Sequence, residues 1–119
     1  MRLSDIVRAI QGSHVAGPSP ESITCDEVIA SDLMSDVLTH EGEGFLLITG
    51  LASEQTLRTA HIVGAPAVIL VCGKPVQPRM KALADEYGIC LISTPLPTFE
   101  TCAVIARIKE GAYGSGAAE

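Results

Sequence analysis

The chain has 119 residues, room for one domain with one core and too few for two. It is 47% hydrophobic and only 18% charged, against about a quarter for ordinary soluble domains. With a net charge of −6 and 3% aromatic content, the sequence shows neither the cationic footprint nor the stacking platforms expected for nucleic-acid binding.

Residues 3–11 (LSDIVRAIQ) place Ile6, Val7 and Ile10 on one helical face, with Ser4 as a start signal and Gly12 as a stop. Residues 13–22 read as a loop and 23–30 (ITCDEVIA) as a short strand. Ser31 or Asp32 caps a helix predicted over 32–40, whose apolar stripe is Leu33, Met34, Val37 and Leu38. A turn, EGEG, precedes a strand over 45–49. Ser53 opens a helix over 53–63, which ends where Ala65-Pro66 disfavours helical backbone. A strand over 67–72 leads through Gly73-Lys74-Pro75 to a helix over 78–87 closed by Gly88. A strand over 89–93 and the connector Thr94-Pro95-Leu96-Pro97 lead to a last helix over 98–110. The tail 111–119 is expected to be disordered, leaving residues 1–110 as a single domain.

Alternating helices and strands with short connections predict an α/β fold with a mostly parallel sheet of four to five strands. Phe45–Ile48 and Ala67–Val71 are continuous apolar runs, suited to strands covered on both faces. No window is apolar over a membrane-spanning length. The start, MRLSDIVRAIQG, is too polar for a signal-peptide core, so a cytoplasmic location is expected.

In an open α/β sheet ligands bind beyond the carboxyl ends of the strands. That edge gathers the candidate ligand residues Thr49, Gly50, Ser53, Cys72, Gly73, Lys74, Ser93 and Thr94. Gly50–Ser53 is either an anion-holding loop at a helix start or a tight turn capped by Ser53. Lys74, with Arg79 on the next helix, either counters an anionic ligand or is simply solvated. Ser93 and Thr94 either bind ligand or cap the connector. The glycine-rich dinucleotide fingerprint and the P-loop are absent.

The four cysteines (25, 72, 90 and 102) lack metal spacing and read as reduced thiols, mostly buried, with Cys72 next to the ligand edge. His14, His40 and His61 are scattered, so no metal site and no catalytic set is assembled. No cofactor is called for. The alternative is a small enzyme with Ser53 or Cys72 as nucleophile and Lys74 on the anion. The helix over 98–110 is apolar around most of its circumference, which predicts contact with a second subunit or a protein partner. A homodimer burying Phe99, Val104, Ile105 or Ile108 follows, with Ile105→Asp giving monomers or aggregates.

Residues 28–39 (VIASDLMSDVLT), 46–51 (LLITGL), 58–74 (RTAHIVGAPAVILVCGK) and 88–99 (GICLISTPLPTF) resemble the DRTGG domain family. The likeness covers nearly the whole chain, as a stand-alone member, and is most specific in SDLMSDVL and in the segment ending at Glu100. It implies a three-layer α/β/α sandwich, similar to the N-terminal domain of HPr kinase/phosphorylase. Such domains occur beside nucleotide-sensing CBS domains in some pyrophosphatases and in the N-terminal region of some phosphotransacetylases. The resemblance therefore implies a non-catalytic, dimerising regulatory module, with an adenine nucleotide as the first ligand to test. The letters D-R-T-G-G themselves do not occur; Gly50-Leu51-Ala52-Ser53-Glu54-Gln55 stands at the matching position.

Overall fold

A computed structural model describes residues 1–40, 42 and 44–114. The helices are α1 (Leu3–Ala9), α2 (Met34–Leu38), α3 (Glu54–Val63), α4 (Pro78–Tyr87) and α5 (Thr98–Gly114). The strands are β1 (Ser13–Ala16), β2 (Val28–Ala30), β3 (Leu46–Thr49), β4 (Ala67–Leu70) and β5 (Cys90–Ser93). They form one five-stranded sheet in the order β1-β5-β4-β3-β2. β2 through β5 run parallel, and β1 joins β5 antiparallel.

The three inner strands explain the continuous apolar runs. Every residue of β3 and β4 is buried, because helices cover both faces. Successive side chains point to opposite faces of a strand. Leu47, Val68, Leu70 and Leu91 therefore pack with Met34, Val37, Leu57, Met80 and Leu83 from α2, α3 and α4. Leu46, Ile48, Ala67, Ile69, Cys90 and Ile92 pack with Leu3 and Ile6 of α1, Ile10 just after it, and Ile105 of α5. The result is the expected three-layer α/β/α sandwich.

Local signals set the helix ends. The Ser53 hydroxyl accepts from the Gln55 N–H at 3.1 Å and caps α3, and Gly64 ends that helix at φ 75°. Pro78 begins α4 and Gly88 ends it at φ 69°.

Four elements differ from expectation. Residues 13–16, read as loop, are the edge strand β1, in register Ser13↔Ser93 with a bulge between His14 and Ala16. The His14 ring seals the bulge: its Nε2 lies 3.1 Å from the Ala16 carbonyl and 2.9 Å from that of Gly17. Carbonyls only accept, so this nitrogen carries the proton. The strand expected over 23–30 shrinks to β2, while Thr24 forms only an isolated bridge with Arg2. The helix expected over 32–40 shrinks to α2, and neither Ser31 nor Asp32 caps it: Leu33 is the N-cap residue, and the Ser31 hydroxyl accepts from the Leu33 N–H at 3.1 Å in the turn before the helix. Helix α5 runs on to Gly114, four residues into the expected tail, whose last five residues lie outside the described ones.

Candidate functional site

Parallel pairing brings the carboxyl ends of β2 to β5 to one edge, and α2 to α5 each start there. Thr49, Leu70 and Ser93 are aligned across that end of the sheet. The predicted residues Thr49, Gly50, Ser53, Cys72, Gly73, Lys74, Ser93 and Thr94 thus do share one edge. The polar groups of Thr49, Gly50, Ser53, Cys72, Gly73 and Thr94, however, are engaged within the fold, mostly by residues outside this set.

The Gly50 loop is closed by a residue that sequence reasoning placed only as a helix cap. Asp32 follows β2 and turns its carboxylate onto the loop. Its Oδ1 accepts from the Gly50 N–H at 2.7 Å and from the Thr49 hydroxyl at 3.2 Å. Thr49, fully buried, in turn accepts from the Leu51 N–H at 3.1 Å. A carboxylate now occupies the amide that an anion would use. The available signal was positional: an acid just after β2 must lie on the same edge as the glycine after β3.

The Cys72–Gly73 turn is closed in the same way. Both residues have positive φ, 67° and 62°, a conformation costing about 1–2 kcal/mol for a non-glycine residue. The Cys72 N–H donates to the Leu96 carbonyl at 2.8 Å and the Gly73 N–H to the Thr94 carbonyl at 2.9 Å. These bonds tie the β4–α4 loop to the β5–α5 connector and hold the turn in place. Thr94 is a structural pin. Its fully buried hydroxyl donates to the Ile10 carbonyl at 2.6 Å and accepts from the Leu96 N–H at 3.2 Å. Ser93 ends β5 half-buried, opposite Ser13.

Cations remain available. Lys74 is exposed and pairs with no carboxylate among the described residues. Glu54, at the start of α3, accepts from Arg58 Nη2 at 2.9 Å and from Arg79 Nη2 at 3.2 Å. The two guanidinium groups, Arg79 first, hold the Glu54 carboxyl below its usual range. Arg79, expected to support Lys74, is therefore held by the neighbouring helix.

No histidine reaches Ser53 or Cys72 in a described contact. His14 binds carbonyls on β1. His40 stands 3.7 Å from Glu27 and edge-on to Phe45, and His61 stacks on Tyr87 with ring centroids 4.1 Å apart. Among the described residues no group of three His, Cys, Asp or Glu side chains is placed to hold a metal ion. All four thiols are free, and Cys72 is the exposed one. Burial and, to a smaller extent, the nearby Cys25 together push the Cys90 thiol up to about 11; Cys25 and Cys102 are also raised by burial. Among the described residues no helix is long and apolar enough to cross a membrane.

The expected interface residues divide sharply. Phe99 is 79% exposed, and Val104 and Ile108 are half-buried along α5. Ile105 is 2% exposed, packed in this chain's own core beneath α5. An aspartate at 105 would therefore test folding rather than assembly.

The DRTGG domain model matches residues 5–108. Among solved structures, the chain is similar to the crystal structure of the CBS and DRTGG domains from the regulatory region of the Clostridium perfringens pyrophosphatase, complexed with the activator diadenosine tetraphosphate. That likeness has a TM-score of 0.69 at 16% identity, and covers 87% of this chain and 45% of that one. The chain thus spans less than half the length of its structural neighbour. No curated protein matches.

Proposed function

The chain belongs to the DRTGG domain family, and from that premise we propose that it is a non-catalytic regulatory module that self-associates and takes a small anionic ligand at the carboxyl edge of its sheet. The observation that carries this reading is the internal closure of that edge. Ser53 caps a helix, Thr94 pins α1, and Asp32 covers the Gly50 amide. The hydroxyls of Thr49, Ser53 and Thr94 and the amides of Gly50, Cys72 and Gly73 are already hydrogen-bonded within the fold, and among the described contacts no base reaches Ser53 or Cys72. Such an edge is a rigid frame for binding, with Lys74 and the two arginines as its means of recognising negative charge.

An adenine nucleotide is the first ligand to test. The solved neighbour supports that choice, since its regulatory region was crystallised with a diadenosine polyphosphate activator. Self-association is supported by the exposed Phe99 ring and by the half-buried apolar residues that follow it on α5.

The test is native mass spectrometry of the protein alone and with a panel of adenine nucleotides. A dimer carrying stoichiometric nucleotide is the expected result. A monomer that takes up no nucleotide would overturn the proposal. A dimer that ignores every nucleotide would remove the ligand half and direct the search to a protein partner for α5.

A further inference from the structure

We propose that Glu54 masks a polyphosphate site formed by Arg58 and Arg79, occupying it until a phosphate chain takes its place. The inference rests on the ligand-binding reading above and names the ligand group and the device that regulates access to it.

Three observations converge. The first is placement. Arg79 is the second residue of α4, at the positive end of the helix dipole, where acids are favoured and cations are not. That first turn contains no acidic residue, and no side chain caps it. Nothing within α4 accounts for a guanidinium there. Its partner is the carboxylate at the start of α3, 25 residues away.

The second observation is unused capacity. A guanidinium has five N–H donors in a planar fork that matches phosphate oxygens. Arg58 and Arg79 each direct one nitrogen at the same Glu54 Oε1, at 2.9 and 3.2 Å. Two cations thus share one oxygen of a single negative charge. The side chains of Arg58 and Arg79 are 50% and 70% exposed, so a ligand can reach both without the fold opening.

The third is the closure of the competing anion position. Asp32 holds the Gly50 N–H, and the Leu51, Cys72 and Gly73 N–H groups are also bonded within the fold, which leaves side-chain cations as the main means of holding phosphate at this edge. A phosphate chain carries several negative charges to Glu54's one and satisfies both forks together. Exposed ion pairs are individually weak and salt-screened, so Glu54 is displaceable. Lys74, in the loop that leads into α4, adds a third cation for a longer chain.

The experiment is calorimetric titration of the full chain with inorganic triphosphate and, separately, ATP. The variants are Glu54→Gln and the double variant Arg58→Gln/Arg79→Gln, with thermal melts as a check that each is folded. Removing the internal competitor should tighten triphosphate binding at least tenfold. Removing both forks should weaken it at least tenfold. In the wild type, the Arg58 and Arg79 side-chain N–H resonances and the Glu54 carboxyl carbon should shift together as triphosphate is added.

If the wild type binds ATP and neither variant changes its affinity, the masked site is refuted while the ligand-binding reading survives at another position. If neither the wild type nor Glu54→Gln binds triphosphate or ATP at millimolar concentration, both fail. Triphosphate binding that leaves all three NMR signals unmoved would also overturn the proposal.

Discussion

Replacing Asp32 by alanine removes one side chain and unties two elements. The carboxylate receives the Gly50 N–H at 2.7 Å and the Thr49 hydroxyl at 3.2 Å, joining the loop after β2 to the loop after β3. A hydrogen bond to a charged acceptor contributes about 1.5–3 kcal/mol, and the exposure of Asp32 puts its bonds at the low end of that range. Gly50 is half-exposed, so water replaces the carboxylate there at small cost. Thr49 is fully buried, so its O–H loses its acceptor without gaining water. The net loss is about 2 kcal/mol. For a 119-residue chain, with about 2.1 cal/mol/K of unfolding entropy per residue, that lowers the melting temperature by about 8 °C. Urea and thermal denaturation measure it. Asp32→Asn keeps an acceptor oxygen and should lose less than half as much. The alanine variant also uncovers the Gly50 amide, whose NMR resonance should shift on phosphate addition while the wild type's stays still. An alanine variant as stable as the wild type, with an unresponsive Gly50 amide, would refute the closed-edge account.

Gly17→Ala should destabilise by on the order of 3 kcal/mol or more in urea titrations, because Gly17 has φ 79° and a Cβ there would stand 1.8 Å from the Ile89 carbonyl oxygen. Stability should fall as pH rises from the ordinary thiol range near 9.0 toward about 11. There the unfolded chain releases the Cys90 proton while the folded chain retains it, a loss of about 2–3 kcal/mol across that window. Cys25 acts in the same direction, and Cys90→Ala should flatten the alkaline limb measured by urea midpoints. Ile105→Ala should cost about 2–5 kcal/mol as a buried core truncation, whereas Phe99→Ser should leave the monomer's stability nearly unchanged and shift sedimentation toward monomer. Thr101→Val should raise the unfolding free energy by about 1 kcal/mol, since the Thr101 hydroxyl is buried with no hydrogen-bond partner among the described residues.

The inner strands were legible because burial on both faces imposes an unbroken apolar run, which Leu46–Ile48 and Ala67–Leu70 display. Strand β1 was not legible, because half of it is Ser13 and His14 and its hydrogen bonds come from β5, far along the chain. A local pattern cannot reveal a partner at that separation. The same limit applies to the Thr94 hydroxyl, which finds Ile10 across 84 residues. Helix α5 was correctly marked as apolar on most sides. Its rotational phase decides that Ile105 faces the core and Phe99 faces outward, and an all-round apolar pattern contains no phase. At the site, chain order and parallel pairing sufficed to bring the loops together. The partner of each polar group was undetermined, because Asp32 had an equally good local use as a helix cap.

The edge also bears on what the missing D-R-T-G-G letters mean. The matching segment Gly50-Leu51-Ala52-Ser53-Glu54-Gln55 carries one acid and no base, which on sequence grounds leaves contact with an anionic ligand by this segment without a source. In the fold, charges of both signs border the loop from other segments. Asp32 arrives from the β2–α2 connection, Arg79 from α4, and Glu54 and Arg58 from the helix that the loop begins. The acid on Gly50 repels an anion there, and the arginine pair attracts one at the far end of the same loop. Net charge is therefore a poor guide to this surface: a chain of charge −6 can still present a local cationic site wherever one carboxylate holds two guanidinium groups. Loss of a sequence motif removes a binding site only if the fold supplies no other group to the same position.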